Sequence, residues 1–350
     1  MVMPAALFQI ESNASSTCFV IAEAGVNHNG SLDLAFRLVD AAAEAGADAV
    51  KFQTFQAAKL VTASARKAVY QAQTTGADQS QYEMLRQLEL GFDDFRKIKD
   101  YCRQQGILFL STPFDEASAD FLDSLDVAAI KIGSGEITNL PFLGYIARKG
   151  RPVILSTGMS TLGEVEAAVG GIRGAGDPPL ALLHCTSNYP ALPETVNLRA
   201  MMTLKAAFGL PVGYSDHTQG IEISLAAAAL GARILEKHFT LDRHLPGPDH
   251  PASLEPAELA ALVRGVRKVT TALGDGRKLP TQSELDVAAV ARKSLVAARA
   301  ISAGAVLAEA DIAIKRPGTG LPPGMLSLLL GRRLRLDVAA GEVFTLEMLA

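Results

Sequence analysis

The chain has 350 residues, of which 49% are hydrophobic and 20% charged, and this balance excludes a disordered chain and a coiled coil. Its net charge of −4 and the lack of a basic run argue against nucleic acid or an anionic membrane as a partner. Three scattered cysteines without C-x-x-C spacing (Cys18, Cys102 and Cys185) predict a reducing compartment. No apolar stretch reaches the roughly 18–20 residues that span a bilayer, and segment 1–8 lacks the basic residues of a signal peptide, so we expect a cytoplasmic protein.

Short apolar runs rich in β-forming residues alternate with Ala- and Leu-rich helical stretches from Phe19 to about Leu273. Continuous apolar strands that alternate with helices indicate a parallel sheet covered on both faces. Eight repeats in about 255 residues predict a (β/α)8 barrel rather than an open doubly wound sheet. The predicted strands are 19–23, 49–53, 108–111, 129–132, 153–156, 180–184, 212–215 and 234–238.

Two segments depart from this pattern. Residues 54–90 form a long connection that we interpret as a lid or binding loop or, alternatively, as an extra pair of surface helices. Residues 276–293 are predicted to link a catalytic barrel (17–275) to a small β domain (294–350). Within the small domain, the sequence from Ile301 resembles the sequence from Val338, which indicates internal pseudo-symmetry.

A barrel of this kind carries its active site at the carboxyl ends of its strands. All eight predicted strand ends bear polar side chains, including two lysines and three histidines, which is more than packing requires. These residues are Glu23; Lys51 and Gln53; Ser111 and Thr112; Lys131, Ser134 and Glu136; Ser156 and Thr157; His184 and Thr186; Asp216 and His217; and Glu236 and His238. We therefore predict that they converge on one site.

Lys51 and Lys131 lie inside apolar strand patterns, where an unpaired ammonium group is costly to bury. They either form ion pairs with Glu23 or Glu136 or bind an anion; a lysine that forms a Schiff base is a further alternative. Hydroxyl groups near both lysines favour phosphate, because hydroxyls donate hydrogen bonds and lysine supplies charge. Glu23 and Glu136 are also candidates for general acid–base catalysis. The hydroxyl-bearing residues are Thr112, Ser134 and Ser156.

His217 and His238 end adjacent predicted strands, which lie about 4.8 Å apart in a sheet, so both imidazoles can reach one metal ion. Two protein ligands leave positions open for water and substrate, as in a Lewis-acid site. Two histidines that merely cap the barrel are the alternative. The sequence gives no firm role to the other four histidines, His28, His184, His244 and His250.

Ten longer motifs follow one another along the chain, and most of them coincide with these strand ends. In order they are Ile21-Ala-Glu-Ala-Gly-Val-Asn-His-Asn-Gly, Asp48-Ala-Val-Lys-Phe-Gln-Thr-Phe, Ser111-Thr-Pro-Phe-Asp, Lys131-Ile-Gly-Ser-Gly-Glu, Leu155-Ser-Thr-Gly-Met-Ser, His184-Cys-Thr-Ser-Asn-Tyr-Pro, Gly213-Tyr-Ser-Asp-His-Thr, Glu236-Lys-His-Phe-Thr, Gly247-Pro-Asp-His and Lys315-Arg-Pro-Gly-Thr-Gly. Through these motifs the chain resembles the sialic acid synthase family from about residue 17 to its end.

The resemblance implies an α/β chain in which a (β/α)8 TIM barrel precedes a small antifreeze-like (SAF) domain. Members of the family are transferases that condense phosphoenolpyruvate with an N-acylated mannose-type sugar and water, releasing phosphate. By resemblance, Mn²⁺ or Mg²⁺ lies between His217 and His238, and Glu23 and Glu136 are the catalytic carboxylates. Ten binding positions also match: Lys51, Thr112, Lys131, Ser134, Ser156 and Ser187 for phosphoenolpyruvate, and Gln53, Tyr189, Asp249 and Arg316 for the sugar.

Two of these positions carry alternatives. Some family members have asparagine where this chain has Ser187, so Asn188 is an alternative phosphate contact. In the family, the SAF domain is exchanged between the subunits of a homodimer and brings the residue matching Arg316 into the partner's sugar site. Without the resemblance, Arg316 would be interpreted as an ordinary surface arginine.

The resemblance leads us to expect an N-acetylneuraminate synthase that uses N-acetylmannosamine. The alternatives within the family are a legionaminic acid synthase that uses a 2,4-diacetamido-trideoxy mannose and a pseudaminic acid synthase. Outside it, a metal-dependent pyruvate aldolase would leave two lysines and three hydroxyls without a phosphate to bind. A non-catalytic carbohydrate- or ice-binding protein would not need the strand-end residues.

Overall fold

A computed structural model of the chain describes residues 3, 5–9, 18–76 and 78–350. Residue 17, where the barrel is predicted to begin, lies outside these residues. The chain divides into two compact units, Met1–Asp275 and Gly276–Ala350. Among the described residues, no helix is both long enough and apolar enough to cross a bilayer.

The first unit is built on an eight-stranded parallel sheet, which confirms the predicted (β/α)8 fold class. Hydrogen bonds join the strands in the order β3-β2-β1-β8-β7-β6-β5-β4, and β3 and β4 lie side by side to close the barrel. The strands are β1 Phe19–Gly25, β2 Ala49–Thr54, β3 Leu108–Pro113, β4 Ile130–Ile132, β5 Val153–Ser156, β6 Leu180–Cys185, β7 Val212–Asp216 and β8 Ile234–His238.

Helices alternate with these strands, and three short helices occupy the long connection after β2, one more than the pair of surface helices offered as an interpretation. Side-chain caps begin several of them; for example, Thr161 and Glu164 form a capping box at the start of α8. The helices of the first unit are α1 Leu32–Glu44, α2 Ala57–Leu60, α3 Val69–Thr75, α4 Gln81–Leu88, α5 Phe92–Gln104, α6 Glu116–Ser124, α7 Leu140–Ala147, α8 Leu162–Ala175, α9 Pro193–Val196, α10 Ala200–Phe208, α11 Glu222–Ala229 and α12 Pro256–Leu273.

Two apolar layers surround the strands. An inner cluster fills the barrel and includes Met3 and Leu7 from the N-terminal segment, while a larger outer cluster joins the strands to the helices. Because successive strand residues point to opposite faces, the inner residues recur with a period of two. In six strands, one inner residue stands two positions before a polar residue at the mouth; the pairs are Ile21 and Glu23, Ala49 and Lys51, Leu110 and Thr112, Ala129 and Lys131, Ile154 and Ser156, and Ile234 and Glu236.

The second unit contains the antiparallel strands β9 (Ser294–Ala297) and β10 (Ile312–Lys315), and the short helix α14 (Leu326–Leu329). The two repeated segments pair with each other, since Ile301 and Val338 exchange backbone hydrogen bonds of 2.9 Å in both directions. The stretch predicted as a linker differs from the prediction, because it holds helix α13, Gln282–Ala291. A capping box formed by Thr281 and Glu284 begins this helix, a signal that the sequence interpretation overlooked.

A buried ion pair joins β7 to β8 on the outer face of the barrel. Lys237 Nζ lies 2.9 Å from Asp216 Oδ2, and both side chains are inaccessible to solvent. Thr218 also donates to Asp216 Oδ1, through its amide and its hydroxyl, at 2.8 Å each. The pair therefore anchors the backbone around two of the strand ends.

Lys237→Met is expected to lower the free energy of unfolding by about 3–5 kcal/mol, because it leaves the Asp216 carboxylate buried without its counter-ion. Urea denaturation followed by circular dichroism measures this loss. Lys205→Met, on the exposed face of α10, is the control and should change stability by less than about 0.5 kcal/mol. Equal effects of the two substitutions would contradict the prediction.

Candidate active site

Strand register brings three of the predicted residues to one level at the mouth of the barrel. Glu23 on β1 is paired with Lys51 on β2 and with His238 on β8. All three side chains are buried. The convergence predicted from the strand ends is therefore present for these three residues, whereas Asp216 of the same predicted set pairs with Lys237 on the outer face.

Two lysines and two carboxylates form a buried cluster at this level. Lys51 Nζ lies 2.9 Å from Glu23 Oε2 and 3.5 Å from Glu236 Oε2. Lys131 Nζ lies 3.6 Å from Glu236 Oε1, which also accepts a hydrogen bond of 3.0 Å from Ser215. We call Lys51, Lys131, Glu23 and Glu236 the lysine–carboxylate cluster.

The role of Glu236 was not predicted from the sequence, and Glu136 does not take the place expected of it as a possible ion-pair partner. Glu136 is half-buried and accepts a hydrogen bond from Asn139 at 2.7 Å. No ion pair among the described residues joins Glu136 to either lysine. The strand period could have indicated Glu236, because it shares the inner face with Ile234 and His238.

Two of the three predicted hydroxyl groups, those of Thr112 and Ser156, contact the lysines directly. Lys51 Nζ donates to Thr112 Oγ1 at 3.1 Å, and Lys131 Nζ donates to Ser156 Oγ at 2.8 Å. Ser134 Oγ accepts a hydrogen bond of 2.9 Å from the amide of Gly158. Cations and hydroxyls at these distances form an arrangement that can bind a phosphate group.

Gly158 explains how Ser134 and Ser187 approach the same point. A Cβ atom at Gly158 would lie 2.3 Å from Ser187 Oγ and 2.8 Å from Ser134 Oγ, so a larger residue would displace both hydroxyls. Asn188, the alternative to Ser187, is exposed.

The pKa values of the two carboxyl groups of the cluster are shifted in opposite directions. Burial raises the pKa of Glu23 to about 7, against the attraction of Lys51. Burial also opposes ionisation of Glu236, but Lys131 and Lys51 outweigh it and lower the pKa of that carboxyl. Glu236 is therefore the permanent counter-ion, and Glu23 can exchange a proton near neutral pH.

The pKa values of the two lysines are also shifted in opposite directions. Burial disfavours the charge on Lys51, yet the carboxylates of Glu23 and Glu236 raise its pKa overall. Burial lowers the pKa of Lys131, and the attraction of Glu236 does not restore it. Lys131 thus has the weaker internal charge compensation, which leaves it ready to accept an external anion.

His217 and His238 lie with their ring centroids 5.3 Å apart. His217 Nδ1 is 2.8 Å from the carbonyl oxygen of Thr186, so this nitrogen carries the proton and Nε2 keeps its lone pair. His238 Nδ1 is buried and has no hydrogen-bond partner among the described residues. An unpartnered imidazole nitrogen beside a second imidazole lone pair fits a divalent cation. No group of three or more His, Cys, Asp or Glu side chains in the described part of the chain could hold a metal, so the candidate rests on these two histidines.

Three of the four residues matched to the sugar, Gln53, Tyr189 and Asp249, belong to the first unit and lie beside Glu23 or the two histidines. Gln53 Nε2 donates to Glu23 Oε1 at 3.2 Å, and Tyr189 lies with its ring centroid 4.1 Å from that of His217. Asp249 Oδ2 is 4.0 Å from His238 Nδ1. Arg316 belongs to the second unit, where it is exposed and its Nε donates to the carbonyl oxygen of Ala291 at 2.9 Å.

Two protein-family models match this chain. The model of the NeuB family matches residues 38–278, which is well over half of the chain. The chain belongs to the NeuB family. The SAF domain model matches residues 292–350, which contain β9 and β10 of the second unit.

Relatives of this NeuB-family chain cover almost its whole length. It is 49% identical over 338 residues to N,N'-diacetyllegionaminic acid synthase of Legionella pneumophila, with 95% of each chain covered. It is also 49% identical to the Campylobacter jejuni enzyme of the same name, with 89% of this chain and 94% of that one covered. The solved N-acetylneuraminic acid synthetase of Leptospira borgpetersenii superposes with a TM-score of 0.69 at 39% identity, covering 78% of this chain and 90% of that one. NeuB-family relatives are thus nonulosonic acid synthases.

Proposed function

We propose that this NeuB-family protein condenses phosphoenolpyruvate with a 2,4-diacetamido-trideoxy mannose and water, forming a legionaminic-type nonulosonic acid and phosphate. The observation that carries the choice of sugar is the identity of 49% to two N,N'-diacetyllegionaminic acid synthases, against 39% to the N-acetylneuraminic acid synthetase. These values favour the legionaminic alternative over the N-acetylneuraminate synthase expected from the sequence. N-Acetylmannosamine is the second candidate substrate.

Phosphoenolpyruvate would bind at the lysine–carboxylate cluster. Lys51 and Lys131 supply charge, and four hydroxyls supply donors to the phosphate oxygens. The cluster has two positive and two negative groups, and Lys131, whose charge is compensated less within the cluster, is the cation best placed to pair with the phosphate. The four hydroxyl residues are Thr112, Ser134, Ser156 and Ser187.

Glu23 is the group that we assign to proton transfer. Its carboxyl is present in both protonation states near neutral pH, as a residue that takes and returns a proton requires. We propose that Glu23 takes the proton of the water that adds to C2, after C3 has attacked the sugar aldehyde. Gln53 orients Glu23 through the hydrogen bond to Oε1.

His217 and His238 would hold Mn²⁺ or Mg²⁺. When bound, such an ion supplies Lewis-acid polarisation of the sugar aldehyde. Thr186 fixes the tautomer of His217 through its carbonyl oxygen, so that Nε2 is the nitrogen presented to the ion. Tyr189 packs against both imidazole rings and restricts their rotation.

The decisive test follows phosphate release from phosphoenolpyruvate with a panel of aldoses. The highest kcat/KM is expected with the 2,4-diacetamido-trideoxy mannose, a lower value with N-acetylmannosamine, and loss of turnover in EDTA that Mn²⁺ restores. Pyruvate in place of phosphoenolpyruvate is the control for an aldolase and should give no product. Higher kcat/KM with N-acetylmannosamine would return the assignment to N-acetylneuraminate synthase, and turnover of pyruvate would overturn the proposal.

The proposed assembly is a homodimer in which Arg316 serves the partner's sugar site. His238→Ala and Arg316→Ala should then each inactivate the homodimer. In a mixed dimer, one site carries both lesions and the other carries neither. Random exchange makes about half of the dimers mixed, each with one intact site of two, so about a quarter of wild-type activity should return.

Co-refolding the two variants and assaying product measures this rescue, with wild type carried through the same treatment as the control. If Arg316 serves its own barrel, every site in the mixture keeps one lesion and no activity returns. An active Arg316→Ala homodimer would show instead that the arginine has no role at the site.

A further inference from the structure

Helix α3 lies in the long connection after β2. It brings Tyr70 to the part of the barrel mouth that holds Tyr189, one of the residues matched to the sugar. The Tyr70 ring stacks on Tyr189, with centroids 5.0 Å apart and planes inclined by 23°. Tyr189 in turn lies 4.1 Å from the His217 ring and 5.5 Å from the His238 ring, measured between centroids. Tyr70 is therefore one aromatic ring away from both histidines.

Asp249 is a charged residue in the same part of the site. Partial burial and the negative charge of Asp249 both raise the pKa of the Tyr70 phenol. Tyr70, Tyr189 and Asp249 thus combine an aromatic wall with one carboxylate. An apolar wall with a few polar groups is the usual composition of a site that orients a small ligand.

The packing of α3 is weak compared with that of its neighbours. None of its described residues is fully buried: Tyr70 is half-buried against Tyr189, and Val69 beside it is 76% exposed. In contrast, α4 buries Met84 and Leu88 against Phe55 in a cluster of its own. Few buried contacts hold α3 in place, so its position can change at low energetic cost while α4 stays fixed.

We infer that Tyr70 is a further sugar-binding residue, which closes over the acceptor sugar as α3 moves against the mouth of the barrel. This inference rests on the proposed function. The surfaces that this stack leaves uncovered are apolar, and they suit the C–H groups and the C6 methyl of a deoxy sugar better than the hydroxymethyl group of N-acetylmannosamine. Closure also excludes water from the reacting aldehyde.

Steady-state kinetics of Tyr70→Ala, Tyr70→Phe and Val69→Ala test this role. Tyr70→Ala should raise the KM for the deoxy sugar by about tenfold or more, with the KM for phosphoenolpyruvate unchanged. Tyr70→Phe keeps the ring and should stay within about threefold of wild type in the sugar KM. Val69→Ala, on the same helix, should match wild type, and all melting temperatures should be similar because no described residue of α3 is fully buried.

An unchanged sugar KM in Tyr70→Ala, or an equal rise in Val69→Ala, would overturn the inference while leaving the proposed function intact. Equal rises in both substrate KM values would also overturn it, since they would indicate general disruption of the mouth. Failure of the wild type to turn over any aldose would remove the proposed function and this inference together.

Discussion

Glu23→Gln is expected to lower kcat by about 10²–10⁴-fold, because the amide cannot take a proton. In wild type, the deprotonated carboxylate is the active form, so activity should fall as the pH drops below about 7, the pKa to which burial raises Glu23. This fall in activity at low pH is the acidic limb of the pH profile. The residual activity of Glu23→Gln should not show it. Initial rates of phosphate release between pH 5.5 and 8.5 measure both effects.

Glu136→Gln is the matched control, because resemblance assigns Glu136 to catalysis although the structure leaves it outside the lysine–carboxylate cluster. If Glu136 were the base, its variant would lose the acidic limb and Glu23→Gln would keep it. Persistence of the limb in Glu23→Gln would thus contradict the assignment. The fold should survive in Glu23→Gln, since Lys51 retains Glu236 at 3.5 Å.

Lys131→Met is expected to weaken phosphoenolpyruvate binding by about 2–3 kcal/mol, or roughly 30–150-fold in Kd, because it removes a charge-assisted contact. The variant should remain folded, because Glu236 keeps its ion pair with Lys51. Calorimetric titration with phosphoenolpyruvate measures the loss, and thermal denaturation checks the fold.

Lys237→Met provides the contrast, since it also removes a buried lysine from an ion pair but on the outer face of the barrel. It should lose stability and retain phosphoenolpyruvate affinity. If Lys131 serves only as an ion-pair partner, Lys131→Met will behave in the same way, with lower stability and an unchanged Kd.

The hydrophobic pattern determined the fold class and most of the candidate site from the sequence alone. Parallel strands buried on both faces must be apolar throughout, so a polar residue at a strand end stands out against its neighbours. Lys51, Lys131 and His238 were found in this way, and they occupy the positions in the barrel that strand periodicity requires. Glu236, two residues after the inner residue Ile234, was found in the same way, but its role as the ion-pair partner of both lysines was not predicted.

The pairing of charges was decided only by the tertiary structure. The sequence left Glu23 and Glu136 equally placed as partners of the lysines, because a local pattern carries no distance between strands that are far apart in the chain. Register places Glu23 directly beside Lys51, whereas Glu136 lies on a turn where Asn139 is its described partner. The opposite pKa shifts of Glu23 and Glu236 follow from that arrangement.

The contacts made by the long connection after β2 could likewise not be predicted from the sequence. Its composition indicated a lid or surface helices, but nothing in the sequence of residues 54–90 indicates which distant residues they contact. Only the folded chain brings Tyr70 onto Tyr189, more than one hundred residues away in sequence. The sequence by itself thus determined the barrel and the types of residue at its mouth, because burial imposes a local pattern on each strand. Only the tertiary structure decided which of these residues meet, because contact between distant strands and loops leaves no such pattern in the sequence.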